Sequence, residues 1–148
     1  MRSALLGSKA VDVTGALAHR GPGPTPDEDS AFYWEGLRTH RLLLQQCANC
    51  HDARFPPMPG CPNCGHSESE VVEAAGDGAV YSWISVHRAL TDAAVFDLPY
   101  DIAVVELTEG CRVVGRFHGG PPQIGTRVES EFVDHDEWTE LVFQPRSP

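Results

Sequence analysis

Four cysteines in two C-x2-C pairs, Cys47-Ala48-Asn49-Cys50 and Cys61-Pro62-Asn63-Cys64, are the residues of this chain whose type and spacing most directly imply chemistry. A C-x2-C turn delivers two thiolates to one side of a metal, and two such turns fill the four tetrahedral positions Zn²⁺ prefers. The pairs are separated by ten residues, a loop of ribbon size. Pro62 stiffens the second knuckle and Gly65 permits a positive φ behind it, whereas the first has His51 at the equivalent place. Two disulfides would require an oxidising compartment, and the first residues form no signal-peptide apolar region. A redox C-x-x-C would be a single motif in a βαβ setting. The reading is therefore a structural Zn²⁺ held by Cys47, Cys50, Cys61 and Cys64, with no open catalytic position. Reduced cysteines and the lack of a targeting signal place the protein in the cytoplasm.

Other candidate chemistry is sparse. Seven histidines are scattered, and His87, on an expected strand beside Arg88, is the one in a pocket-like setting. A lone strand-end histidine is more often a structural hydrogen-bonder than a catalyst. Cys111, the fifth cysteine, reads as a small buried hydrophobe. Asp134-His135-Asp136-Glu137 could bind a cation but is more simply a solvated acidic turn. There is no G-x-S-x-G, phosphate-cradling glycine loop or dinucleotide fingerprint. No catalytic site is expected, and a binding or scaffold role follows.

Charge narrows the partners. The chain of 148 residues has 21 acidic and 11 basic residues, a net charge of −10, and Lys9 as its single lysine. Ribbons and small barrels that bind nucleic acid need Lys and Arg to neutralise phosphates, so a polyanion is disfavoured. Arg88, Arg112 and Arg116 are the one local group of cations, suited to a small phosphorylated ligand or to solvated strand ends. No apolar run approaches the length of a membrane span.

The elements that must position these residues are expected as follows. Residues 1–24 end in His19-Arg20-Gly21-Pro22-Gly23-Pro24, linker chemistry that suggests the remnant of an upstream junction. Thr25-Pro26-Asp27-Glu28 reads as a capping box opening a helix over 26–38, with an aromatic face of Tyr33 and Trp34 flanked by Phe32. That face packs on its own domain or presents a partner surface. Arg41–Gln46 forms a lead-in strand, so 25–46 is helix and strand and 47–70 the ribbon, closing with a polar bridge from Ser67 to Glu70. From 71 to 145 the pattern is β: Val80, Ile84 and Val86 share one face, Ile102–Leu107 is nearly continuous apolar, and Thr108-Glu109-Gly110 turns into Cys111–Phe117. Val128 and Phe132 alternate with charged residues, and Trp138–Phe143 is the last strand, with Leu141 and Phe143 inward. Five strands in this length suit a small closed barrel. The fold class is mainly β: an N-terminal helix, a rubredoxin-like zinc ribbon and a five-stranded OB-fold.

Several motifs in order carry a resemblance: Phe32-Tyr33-Trp34-Glu35-Gly36-Leu37, Leu42-Leu43-Leu44-Gln45-Gln46-Cys47, Phe55-Pro56-Pro57, Cys61-Pro62-Asn63-Cys64-Gly65, Gly78-Ala79-Val80-Tyr81-Ser82-Trp83, Val86-His87-Arg88 and Leu98-Pro99-Tyr100. Over about residues 28–144 the chain resembles the zinc-ribbon/OB-fold acyl-CoA-associated proteins, long catalogued as a domain of unknown function. The resemblance implies a non-catalytic subunit that binds and completes a thiolase-superfamily enzyme. In one version the domain is fused behind a MaoC-like hydratase and paired with a lipid-transfer-type aldolase acting on steroid side chains. The first expectation is thus an accessory subunit of an aldolase that performs retro-aldol cleavage of a CoA thioester, two copies per dimeric partner. The helix and ribbon would dock, and His87, Arg88, Arg112 and Arg116 would lie near the CoA. A thiolase or acyltransferase complex is the alternative. A single-strand nucleic-acid module, with Tyr81, Trp83 and Phe117 stacking bases, is the lesser one. The acidity departs from what a CoA site wants, and the partner would then supply most phosphate contacts.

Overall fold

The computed structural model describes residues 19, 21–89 and 96–147. Residues 1–18 and 20 of the expected linker lie outside that range.

The first helix, α1 (Ala31–Arg38), begins later than the sequence suggests because the turn before it satisfies itself. Asp27 Oδ1 accepts from the Ser30 N–H at 2.8 Å and from its hydroxyl at 2.5 Å, while Ser30 Oγ accepts from the Asp27 N–H at 3.2 Å. These local bonds compete with the helical ladder, so Thr25–Glu28 is not the cap and no acid occupies the first turn. Tyr33 and Leu37 are buried, and the Tyr33 ring packs 5.1 Å from both Trp34 and Phe55. The aromatic face is thus spent within the protein.

Strands β1 (Leu43–Cys47), β2 (Ala53–Arg54) and β3 (Ser69–Glu73) make a three-stranded antiparallel sheet in the order β2-β1-β3. The polar bridge expected at Ser67–Glu70 instead enters β3, which pairs with the whole of β1. This strand is largely exposed, so it lacks the inward apolar alternation by which strands are read.

Strands β4 (Asp77–Val86), β5 (Tyr100–Leu107), β6 (Arg112–Phe117), β7 (Arg127–Asp134) and β8 (Thr139–Pro145) close a barrel in the order β4-β5-β6-β8-β7. β6 and β8 run parallel, and β7 returns to pair with the start of β4. Val80, Val105, Val113, Val128, Leu141 and Phe143 fill the interior, continuous with Tyr33, Leu37, Leu42 and Leu44. Helix, ribbon sheet and barrel therefore share one core.

One departure redirects a surface. The β4–β5 register shifts between Val80 and Ser82, making Tyr81 a bulge. A bulge flips the side-chain phase of everything beyond it. Trp83, paired with fully buried Ala103, falls on the same side of the sheet as Ala103 yet stays 41% exposed near the strand's end, and Ile84 turns to the opposite side beside Ile102. The face shared by Val80 and Ile84 in the sequence is broken by this one inserted residue.

Candidate metal centre and ligand surfaces

The two knuckles are near copies of each other. His51 N–H donates to Cys47 O at 3.0 Å and Gly65 N–H to Cys61 O at 2.8 Å, and both residues adopt positive φ, 59° and 76°. Each asparagine reaches across the pair: Asn49 Nδ2 lies 3.7 Å from Cys64 Sγ, and Asn63 Nδ2 lies 3.8 Å from Cys50 Sγ. All four sulfurs fall within 4.8 Å of one another, with Cys47–Cys64 and Cys50–Cys61 each at 3.6 Å. A tetrahedron with Zn–S of about 2.3 Å has edges of about 3.8 Å, so the residues fit the ion. The backbone N–H of Cys50 leads in holding the Cys47 thiol down at about 6, and that of His66 lowers Cys64. These donors favour thiolates at Cys47 and Cys64, whereas at Cys50 the Asp52 N–H is outweighed by burial and the neighbouring thiols, which push that thiol up to about 11. Burial pushes the Cys111 thiol the other way, up to about 11, consistent with an inert core cysteine.

The four expected CoA contacts are not gathered in one place. His87 and Arg88 are exposed just past the end of β4. Arg112 pairs through Glu106 with Ala79, near the opposite end of the strand, seven residues or roughly 23 Å from Val86. Its Nε donates to Glu106 Oε2 at 3.0 Å, and its guanidinium lies 3.5 Å over the Tyr81 ring. Arg116 is the real difference. Its side chain is 5% exposed, and its Nε and Nη2 donate to the two oxygens of Glu140 at 2.6 and 2.7 Å. A guanidinium so committed is structural and out of reach of a solvent phosphate. Phe117, one of the three possible base-stacking rings, is buried in the core.

The pair belongs to a polar cluster that sequence patterning missed. His135 Nε2 lies 2.9 Å from Glu140 Oε2, and the histidine side chain is 7% exposed. The acids of the turn, Asp134, Asp136 and Glu137, are exposed as expected, but the His135 side chain turns inward from it, whereas His87 is exposed. Phe96 stacks on the Arg116 guanidinium at 3.9 Å, and His19 packs edge-on against Phe96 and Trp138. A Cβ on Gly23 would sit 2.6 Å from the Trp138 ring. The glycines read as linker are thus laid flat on the barrel, and a cleft of about 210 Å³ lies between His19, Gly21 and Gly23 on one side and His135 and Trp138 on the other.

The remaining surface of note is the outer face of β4–β5–β6. Ile84 is 59% and Val114 50% exposed, joined by half-buried Ile102 and Val104. Direct pairing of Ile84 with Ile102 and of Val104 with Val114 makes these four contiguous. Arg112 and Glu106 at its rim neutralise each other.

A four-thiolate ribbon joined to a closed five-stranded barrel defines a zinc-ribbon/OB-fold protein. Comparison with known proteins narrows this. Residues 34–70 match the rubredoxin-like zinc ribbon domain of ChsH2, and residues 71–133 its C-terminal OB-fold domain. A subunit in the solved structure of an Ltp2-ChsH2(DUF35) aldolase is 42% identical, with a TM-score of 0.74 over 83% of this chain and 98% of that one. The chain belongs to the ChsH2/DUF35 family. A "Probable enoyl-CoA hydratase alpha subunit" of Thermomonospora curvata is 43% identical over 131 residues, covering 86% of this chain and 40% of that protein. The 3-oxo-4,17-pregnadiene-20-carboxyl-CoA hydratase alpha subunit of Mycobacterium tuberculosis is 30% identical over 125 residues, covering 82% and 39%. The chain thus spans about two fifths of the length of these two relatives. Among the described residues, no helix is long and apolar enough to cross a membrane.

Proposed function

We propose that this protein is a non-catalytic accessory subunit that binds and completes a thiolase-fold aldolase, in a complex that cleaves a β-hydroxyacyl-CoA by retro-aldol chemistry. The relative solved as part of an Ltp2-ChsH2(DUF35) aldolase supports the partner class. The steroid-derived CoA thioester in the name of the mycobacterial relative supports a steroid or long acyl chain as the substrate class. The observation that carries the reading is the neutral apolar face of Ile84, Ile102, Val104 and Val114 on a chain of net charge −10. A contiguous apolar patch on an otherwise acidic protein fits a protein partner and not a polyanion. Because α1 buries its aromatic face internally, docking falls to this sheet face in place of the helix.

In this reading His87 and Arg88, whose exposure past β4 leaves them free of the core, are the side chains of this chain that meet the CoA moiety. Arg112 is engaged at the far end, and most phosphate contacts come from the partner. Zinc maintains the ribbon and takes no part in the cleavage. The reading also includes a cytoplasmic location, two copies beside a symmetric partner dimer and a hydratase domain as a further associate.

The test is co-expression with candidate thiolase-fold aldolases and measurement of the complex mass and of β-hydroxyacyl-CoA cleavage. The expected result is a stoichiometric complex that turns over only when both proteins are present, lost in the Ile84→Glu/Val114→Glu variant. A full-strength complex with that variant would remove the sheet face from the argument. A thiolase or acyltransferase as the sole partner captured would replace the aldolase.

A further inference from the structure

Arg54, on β2, is only 5% exposed, yet among the described residues no carboxylate pairs with it in the ribbon. Its Nε donates to Gln45 Oε1 at 2.7 Å and its Nη2 to the Met58 carbonyl at 3.2 Å, while buried Nη1 has no hydrogen-bond partner among the described residues. The contrast with Arg116 is direct, since that buried guanidinium is matched by Glu140 through two short hydrogen bonds. Two neutral acceptors do not balance the charge of Arg54, and a buried cation without an anion is among the costliest arrangements in a fold.

The register sets Arg54 beside the strand that carries the first knuckle. Arg54 stands directly opposite Gln45, and Cys47 follows Gln45 by two residues along β1, on the same face. The Cys47 N–H donates to Asp52 O at 3.0 Å, so the first thiolate is one rung beyond the Arg54 pair. Gln45 Oε1 also accepts from the Met58 N–H at 2.8 Å, and Met58 lies three residues before Cys61. One buried node therefore braces the approach to both knuckles. Four thiolates around Zn²⁺ carry a net charge of −2, buried at Cys47 and Cys61.

We propose that Arg54 is the counter-charge of the tetrathiolate site: a positioning residue whose guanidinium offsets the negative charge of the loaded site and, through Gln45, holds the knuckles at metal-binding distance. The inference rests on the zinc reading of the four cysteines. It has two consequences. Removing Arg54 weakens the metal, and removing the metal takes away what balances Arg54, so the ribbon around it gives way and the guanidinium returns to water.

The experiment uses the full chain with Arg54→Met and Arg54→Lys. Zn²⁺ affinity is read by competition with a chromophoric chelator, and coordination by the visible spectrum of the Co²⁺-loaded protein. Arg54→Met is expected to weaken Zn²⁺ by about 10- to 100-fold, the range typical of residues supporting metal ligands. Arg54→Lys keeps the charge and is expected to recover most of that loss, with a tetrahedral thiolate spectrum in both. In metal-free protein, Arg54→Met should be no less stable than the native chain. Native zinc uptake with Arg54→Met within twofold of native overturns the assignment, as does an Arg54→Lys variant as weak as Arg54→Met. A native chain that takes up no zinc overturns the zinc reading itself, and with it this inference.

Discussion

Glu140→Ala should be the most damaging single substitution outside the core, and its cost can be worked from the geometry. The carboxylate accepts from Arg116 at 2.6 and 2.7 Å and lies 2.9 Å from His135 Nε2. The Glu140 and Arg116 side chains are 9% and 5% exposed, so water cannot replace what is lost. Breaking a buried pair from one side leaves the other charge uncompensated and costs about 3–5 kcal/mol. For a domain of this size that corresponds to a fall in Tm of about 12–20 °C. The paired change Arg116→Met/Glu140→Leu removes both charges and keeps apolar volume, and should fall within about 1.5 kcal/mol of native. Urea unfolding followed by tryptophan fluorescence gives all three free energies and the coupling between the sites. A Glu140→Ala cost below about 1 kcal/mol, in the range of an exposed pair, would refute the buried ion pair. So would a double variant as unstable as the single one.

Further outcomes are expected. Cys61→Ser, or chelation of the metal, should unfold the β1–β3 ribbon while the barrel from β4 to β8 keeps its strand signature in circular dichroism; loss of both together would show that the barrel depends on the ribbon. His19 is held below its usual value of 6.5, first by burial and then by His135, so its neutral form is the one the folded protein favours. Its packing contribution is complete above that value and fades as pH falls through the depressed one. Acidification below 6.5 should release the His19–Gly23 segment from Trp138, read as a fluorescence change that Gly23→Val reproduces at neutral pH. Cys111, pushed up to about 11 by burial, should resist iodoacetamide at pH 8, where roughly a thousandth is thiolate; rapid modification in the folded, metal-loaded protein would contradict its placement.

The extent to which each feature was legible in the residues follows from how local its cause is. The metal ligands were, because C-x2-C spacing and the turn residues behind it act within a few bonds: Gly65 takes the positive φ it was suited for, and His51 tolerates the same conformation. The barrel strands were, because inward apolar alternation repeats along each of them, and Leu141 and Phe143 do point in. β3 escaped because it is an exposed strand whose pairing with β1 leaves no hydrophobic trace. The start of α1 was misplaced because the Asp27–Ser30 bonds compete with a capping box of similar composition.

Long-range contact decided the rest. Arg116 looks in sequence like any strand-end cation, and only the parallel pairing of β6 with β8 brings it to Glu140, 24 residues away. His135 sits in what reads as a solvated acidic turn and is buried because Trp138, His19 and Glu140 close over it. Ile84 faces outward through a single bulge at Tyr81, whose effect on every later residue of β4 no pattern of hydrophobicity announces. The sequence by itself determined the ribbon, the barrel and the thiolates, since periodicity and short-range spacing are local physics. The tertiary structure decided which charges are paired and buried and which apolar face is left for a partner, because those depend on strands that meet only in the closed barrel.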